Sequence, residues 1–231
     1  MKISITIYAR NREKDIFDSF ESVIEAVKHF EKIEFELILV DDQSTDKTYE
    51  LMKSLSPNTF KTLGGHGINN AIFTGLEQSS GDVYLPIPGH DMFKKDAIID
   101  LINSIEKNAI VIGVRRNLYK SRPKIKYVSS RILLSTYKFI TKLDVKDVHG
   151  LVAYPTELLR KIDRSKVGHG FHMIPITLGV KNSYNLIQIP ISMNDQHIKR
   201  EGMKLRDYYP SFASVRDVIR QLNYLRKISK E

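Results

Sequence analysis

Phe35-Glu36-Leu37-Ile38-Leu39-Val40-Asp41-Asp42-Gln43-Ser44-Thr45-Asp46-Lys47-Thr48 decides how the rest of the chain is read. It opens on a short, mostly apolar run, which reads as a buried strand. The run stops at two carboxylates and a set of capping residues, and a helix follows from about Thr48 to Leu55. A strand that ends in Asp-Asp and passes straight into a helix is half of a β-α-β unit.

The same alternation extends in both directions. Upstream, Ile3 to Tyr8 reads as a β-branched strand, and Ile16, Phe20, Val23, Val27 and Phe30 recur at helical spacing between Glu13 and Phe30. Downstream, Gly64-Gly65-His66-Gly67 is a loop and Ile68 to Ser79 a helix. Gly81-Asp82 then introduces a third strand, Val83 to Pro88, which ends in Gly89-His90-Asp91. Lys94 to Glu106 reads as helix and Ala109 to Val114 as strand. Repeated β-α-β units predict an α/β fold, a Rossmann-like, mostly parallel sheet with helices on both faces. Such sheets bind ligands beyond the carboxyl ends of their strands, where Asp41, Asp42 and Asp91 fall. No internal repeat or low-complexity linker breaks the chain, so a single compact domain is expected. Tyr208 to Lys230 reads as a C-terminal helix with Val215, Ile219, Leu222 and Leu225 on one face.

Composition narrows the function classes. The absence of cysteine excludes disulfide scaffolds, thiolate zinc sites and thiol catalysis. No run approaches the roughly 20 apolar residues that span a bilayer, and the opening MKISITIYARNREKD lacks the layout of a signal peptide. A cytoplasmic protein is expected. The 231 residues carry a formal charge of +9, and it is unevenly placed. Arg115 to Lys142 holds nine basic residues and no acid, and the region after Gln196 is also basic. A mildly acidic body with two basic regions points to an anionic partner: nucleic acid, a phosphorylated ligand or a membrane surface. No stacking aromatics interleave the basic stretch as a base-binding platform requires, which argues against nucleic acid.

The basic stretch is itself patterned. From Tyr127 to Leu143, Val128, Ile132, Phe139, Ile140 and Leu143 form one helical stripe, and Arg131, Ser135, Lys138 and Lys142 form another. This predicts an amphipathic helix that docks its apolar side on the sheet and shows charge to a ligand, or lies on an anionic membrane.

Two carboxylate positions can do chemistry. Asp41 and Asp42 can accept bonds from a base or ribose, or help hold a divalent cation; a plain helix-capping loop explains them equally well. Asp91, on a sharp glycine turn, meets the minimum for Mg2+ or Mn2+, which take one or two carboxylates plus substrate phosphates. A turn aspartate is the simpler reading. His90 is a weak metal candidate.

The run Ile38 to Thr48 resembles the "VVDDgSxDgT" segment of family 2 glycosyltransferases with the GT-A fold. The spacing to Gly67-Ile-Asn-Asn-Ala71, Gly75 and Gly81-Asp82 is similar too. Val111-Ile-Gly-Val-Arg115 resembles their "viGsR" strand, and Asp147-Val-His-Gly-Leu151 resembles "DxxsGFr". Ile189-Pro190-Ile191 with Arg200-Glu-Gly202-Met-Lys204 resembles "vPixfxxRxxGxSK", a feature of the branch containing dolichol-phosphate mannose synthase and the polyprenyl-phosphate glycosyltransferases. The resemblance covers roughly residues 3 to 206. Of the family's opening "PxYNE", Asn11 is matched; of its Asp-x-Asp, only Asp91 remains; Asn69 replaces the second glycine of the glycine loop.

The resemblance implies a GT-A domain over residues 1–206 with a helical extension over 207–231. It implies inverting transfer from a UDP- or GDP-linked sugar, with Mg2+ or Mn2+ held at Asp91. Tyr8, Ala9, Asn11, Asp41, Asp42, Gly67, Gly89, His90 and Lys204 would then bind the donor nucleotide and diphosphate. Arg115, Arg131, Ser135 and Arg200 match positions that bind an acceptor phosphate. Asp91, Asp147 and Arg115 are the catalytic candidates. A polyprenyl phosphate acceptor needs little base help, whereas a sugar hydroxyl in surface polysaccharide would require a base, for which Asp147 and His149 are the local candidates. His169 and His172, in Gly168-His-Gly-Phe-His172, are further candidates to touch the acceptor, although lone loop histidines are more often incidental. The expected enzyme is peripheral, at the inner face of a membrane, with a membrane-protein partner possible; a non-catalytic module for anionic membranes or nucleotides is the rival from another class.

Overall fold

The computed structural model describes residues 1–62, 65, 67–116, 124–168, 171–194 and 212–228. Seven strands, β1 (Lys2–Ala9), β2 (Glu34–Asp41), β3 (Thr59–Lys61), β4 (Val83–Pro88), β5 (Ala109–Arg115), β6 (Val152–Pro155) and β7 (Asn185–Ile191), form one sheet in the order β3-β2-β1-β4-β6-β5-β7. β1 pairs in parallel with β2 and β4, and β5 in parallel with β7; β6 runs antiparallel between β4 and β5. The sheet is therefore mostly parallel, and the carboxyl ends of β1, β2, β4, β5 and β7 all meet one edge. β6 starts at that edge, so the loop before it also arrives there.

The helices are α1 (Ile16–Val27), α2 (Thr48–Leu55), α3 (Ile68–Gln78), α4 (Lys95–Asn103), α5 (Lys124–Thr141), α6 (Thr156–Arg160), α7 (Met173–Lys181) and α8 (Phe212–Ile228). Alternation along the strands divides the core in two. Ile3, Ile5 and Ile7 face α1 and α4 through Ile16, Val23, Ile98 and Leu101. On the opposite face, Tyr84, Ile110 and Ile112 pack with Ile72 and Leu76 of α3, Leu134 and Tyr137 of α5, and Ile174 of α7. Each such aliphatic side chain withdrawn from water contributes about 1.5–3 kcal/mol, so the two-faced burial is what holds the strand ends in register.

The predicted apolar stripes are only partly turned inward. Ile140 of α5 and Leu143 just beyond it pack against the core, but Val128, Ile132 and Phe139 stay 52%, 62% and 73% exposed, and Leu134 and Tyr137 make the fully buried contact. Tyr137 anchors the helix by bonding the Met173 carbonyl and Thr177. The buried side of the helix is the one whose aromatic hydroxyl finds partners, both on α7. In α8, Leu222 and Leu225 of the predicted face pack into the core with Gln221 and Ile228, while Ile219 faces outward.

Candidate active site

Loops at the sheet edge are tied to one another before any ligand is considered. After β1, Asn11 adopts a left-handed conformation with φ 51°, and its Oδ1 accepts from the Thr45 N–H at 2.8 Å. The Asn11 N–H donates to Ser44 Oγ at 2.9 Å, so the β1 and β2 exits clasp each other. Asparagine tolerates this backbone better than most residues, which explains its presence here. Asp41 is fully buried and accepts from the Ser44 N–H, closing its own loop. Asp42 accepts the Gly67 N–H at 2.7 and 2.9 Å and the Thr62 hydroxyl at 3.3 Å. Gly67 has φ 143°, a conformation that a side chain would strain. Of the two readings of the Asp-Asp pair, these bonds are the loop-capping one: both carboxylates shape the loops at the strand ends.

At the β4 exit, the Gly89 N–H donates to the Tyr8 carbonyl at 2.8 Å. A Cβ on Gly89 would fall 2.9 Å from both Ala9 Cβ and Ile16 Cδ1. The first aspartate of an Asp-x-Asp pair has no room on this backbone unless those neighbours shift. Asp91 follows with φ 49°, its N–H donating to Ser19 Oγ at 2.6 Å. Its carboxylate accepts from Asn194 Nδ2 at 2.5 Å and lies 3.3–3.5 Å from Lys94 Nζ. Asp91 is 3% exposed, whereas the Lys94 side chain is 48% exposed. Among the described residues, no group of three or more His, Cys, Asp or Glu side chains could hold a metal. Asp91 is the carboxylate that would hold a divalent ion, as a single-carboxylate site completed by substrate oxygens, and the cationic Lys94 ammonium already stands beside both its oxygens.

At the β5 exit, Arg115 grips Asp147. Nε donates to Oδ2 at 2.8 Å and Nη2 to Oδ1 at 2.9 Å, and the Arg115 and His149 backbone N–H groups add two further bonds. Burial alone would raise the Asp147 pKa, but the hydrogen bonds and charge of Arg115 outweigh it and hold the carboxyl below its usual range. The guanidinium is likewise withdrawn, at 1% exposure.

Between the glycine loop and the β6 entrance lies a cavity of about 480 Å3, lined by Tyr8, Gly67, Asn69, His149, Phe171 and His172 among others. His172 Nδ1 and the Tyr154 hydroxyl are 2.6 Å apart. Burial, with His149 and Arg115 nearby, pushes the His172 pKa down to about 3 although Asp147 opposes this, so the ring is neutral at ordinary pH. Tyr154 is also buried, and its pKa lies well above normal for that reason.

The structure therefore brings Tyr8, Ala9, Asn11, Asp41, Asp42, Gly67, Gly89, His90 and Asp91 to one side of the edge, and Arg115, Asp147, His149 and His172 to the other. Arg131 and Ser135 are exposed on α5, whereas Arg115 is buried. Lys204, Arg200 and His169 lie outside the described residues. Sequence reasoning missed Lys94, Asn194, Ser19 and Tyr154. Lys94 alone carried a signal, since a residue three positions after Asp91 at a helix start can fold back on it.

A family model described as glycosyl transferase family 2 matches residues 4–165. The chain is 22% identical to the dolichol-phosphate mannosyltransferase of Pyrococcus furiosus, over all of this chain and 66% of that protein. It is 28% identical to the undecaprenyl-phosphate 4-deoxy-4-formamido-L-arabinose transferase of Proteus mirabilis, over 50% of this chain and 37% of that protein. It thus spans about two thirds of the first relative's length and little more than a third of the second's. Glucosyl-3-phosphoglycerate synthase from Mycobacterium tuberculosis, solved with Mn2+ and uridine-diphosphate-glucose, superposes with a TM-score of 0.70 at 19% identity, covering 98% of this chain and 79% of that one. That likeness establishes the architecture. With the matched segment running from β1 past α6, the chain belongs to glycosyl transferase family 2 and carries its GT-A fold.

Proposed function

We propose that this chain is an inverting glycosyltransferase that moves a sugar from a nucleotide-diphosphate sugar to a polyprenyl phosphate at a membrane surface. The observation that carries the acceptor assignment is the outer face of α5. Val128, Ile132 and Phe139 are exposed there, alongside exposed Arg131, Ser135 and Lys142. An apolar strip beside cations suits a lipid whose tail is hydrocarbon and whose head is a phosphate. The similarity to two polyprenyl-phosphate enzymes supports the same reading.

The state of Asp147 supports it as well. Transfer to a phosphate needs no base, because one acceptor oxygen is already anionic. That oxygen attacks the anomeric carbon, forming the new C–O bond. The bond to the donor diphosphate oxygen breaks, and the nucleoside diphosphate leaves with the electron pair. A carboxylate held in its ionised form by Arg115, with both oxygens engaged, is a poor base but a good scaffold. Tyr8, Asn11, Asp41, Asp42 and Gly67 are assigned to the nucleotide, with Gly89, His90 and Lys204 toward the diphosphate. Arg131, Ser135 and Arg200 are assigned to the acceptor phosphate, where arginine's planar fork suits phosphate oxygens. Arg115 then acts from behind, fixing the loop before β6. Mg2+ or Mn2+ held at Asp91 would supply counter-charge to the leaving diphosphate. Residues 207–231 are assigned to a helical extension beside the donor domain, and the enzyme to the cytoplasmic face of the membrane. No described helix is long and apolar enough to cross a membrane.

Binding of UDP- and GDP-sugars by calorimetry, then transfer to polyprenyl phosphate or to a sugar hydroxyl, tests the assignment. Arg131→Ala should weaken use of the lipid phosphate about tenfold or more while donor binding stays unchanged. Unchanged lipid-phosphate kinetics, or transfer only to a hydroxyl, overturns the acceptor assignment. Failure to bind any nucleotide overturns the enzyme itself.

A further inference from the structure

We propose that Lys94 is a built-in counter-cation of the donor diphosphate site, which occupies the Asp91 carboxylate when no divalent ion is present and competes with that ion for it. The inference rests on the donor site proposed above and extends it to a residue that the family resemblance does not assign.

The geometry at the β4 exit carries the argument. Lys94 Nζ lies 3.5 Å from Oδ1 and 3.3 Å from Oδ2 of Asp91, so one ammonium spans both oxygens. Asp91 cannot easily turn away. Its N–H is held by Ser19 Oγ, and Asn194 Nδ2 donates both to its carbonyl and, at 2.5 Å, to Oδ2. Asn194 is itself fixed by its backbone N–H on the Met92 carbonyl. The carboxylate is thus 3% exposed and rigid, while the lysine that meets it is 48% exposed on a flexible stem. A fixed buried anion with a mobile cation is an arrangement in which the cation can be exchanged.

The second observation concerns charge. A divalent site in such an enzyme gains affinity from a second carboxylate, and the position that would carry it is Gly89, where even a Cβ meets Ala9 and Ile16 at 2.9 Å. With one carboxylate instead of two, a divalent ion binds more weakly, and a monovalent ammonium becomes an effective rival. The same ammonium, released from Asp91 when a diphosphate arrives, is placed to meet that diphosphate and offset its charge. Lysine suits this use because it is a compact point charge with rotatable donors.

The test measures Mn2+ binding directly, by the loss of the free-ion electron paramagnetic resonance signal, with and without UDP, for the whole chain and for three variants. Lys94→Ala should bind Mn2+ about tenfold more tightly than the parent in the absence of UDP. Lys94→Arg, which keeps the charge, should stay within about twofold of the parent. Lys95→Ala removes a neighbouring cation that pairs with Glu25 instead, and should also match the parent. A parallel measurement of UDP affinity in a chelator should show Lys94→Ala losing about tenfold, since the built-in cation is gone. Equal Mn2+ affinity in parent and Lys94→Ala overturns the competition, as does an equal gain in Lys95→Ala, which would mark a general charge effect. If UDP binds but Mn2+ binds none of the proteins, the counter-cation proposal falls while the donor site stands. If UDP binds none of them, the donor site itself falls.

Discussion

Arg115 and Asp147 form a two-point ion pair at the end of β5, with Nε to Oδ2 at 2.8 Å, Nη2 to Oδ1 at 2.9 Å and both side chains at 5% exposure or less. The pair welds the last residue of one strand to the loop that enters its antiparallel neighbour. One donor, Nη1, is buried with no hydrogen-bond partner among the described residues. A pair this enclosed offsets its own desolvation only while both members are present. Its value lies in fixing the loop that carries His149 into the cavity.

Asp147→Asn should therefore cost stability before it costs chemistry. Removing the charge leaves a buried guanidinium unpaired, a loss of about 3–5 kcal/mol, which lowers the thermal midpoint by roughly 10 °C in a chain of this size. The double variant Arg115→Met with Asp147→Leu should recover most of that loss, because neither charge remains to be desolvated. Calorimetric unfolding of the three proteins checks it; a double variant no better than Asp147→Asn would show that geometry, not charge, is what the pair supplies.

The donor-side loops make a second prediction. Asp42 reaches across to the Gly67 N–H, and Gly67 holds φ 143°. Gly67→Ala forces a side chain into that region at about 1–3 kcal/mol. Much of the strain should appear as a reopened loop rather than as global unfolding, since Gly67 is not part of either core. UDP affinity should fall by about tenfold or more, with the thermal midpoint little changed. Asp42→Ala should reproduce the affinity loss by freeing the same N–H. An unaltered UDP affinity in both would detach the glycine loop from the nucleotide.

A third prediction follows from the outer strip of α5. Ile132 and Phe139 are 62% and 73% exposed, so replacing both by Asp removes no core contact. Stability should hold to within about 0.5 kcal/mol. Sedimentation with vesicles of mixed neutral and anionic lipid should nevertheless drop several-fold, because two insertions are lost and two like charges are added near the lipid heads. Retained vesicle binding would place the membrane contact elsewhere.

Much of this was legible in the chain before any coordinates. Short apolar runs mark β1, β2, β4 and β5, and helical spacing marks the helices between them, because parallel strands buried on both faces are written as continuous apolar runs. β3, β6 and α6 are too short to show a period, and α7 and β7 are not marked either: α7 is apolar on nearly every side, and β7 is only partly buried. For α5 the sequence leaves open whether the stripe meets the core or a membrane, because apolar residues on more than one side of a helix do not say which side is buried; Ile140 and Leu143 go inward and Val128, Ile132 and Phe139 outward. At the site, Asp41, Asp42 and Asp91 were visible as strand-end carboxylates. Their partners were not. Asn194 stands 103 positions from Asp91 and Ser19 stands 72, and only a fold can bring such residues together.

His172 gives a prediction in which the sign can be worked through. Its pKa is pushed down to about 3 in the folded chain, against about 6.5 when exposed. Below pH 6.5 the unfolded chain takes up a proton at this position that the folded chain refuses. Stability is therefore complete above about pH 6.5 and falls as the pH drops toward 3, by about 1.4 kcal/mol per unit, or about 2 kcal/mol by pH 5. Asp147 contributes in the same direction but lower, because its depressed folded pKa matters only as the pH falls below the normal carboxylate range. The two windows separate the groups. His172→Gln keeps a side-chain acceptor for the Tyr154 hydroxyl and removes the titration, so its denaturant midpoint should stay flat between pH 7 and 5 while the parent's declines. A variant that declines in parallel with the parent would show that His172 is solvated and charged in this range, and that its burial does not hold it neutral.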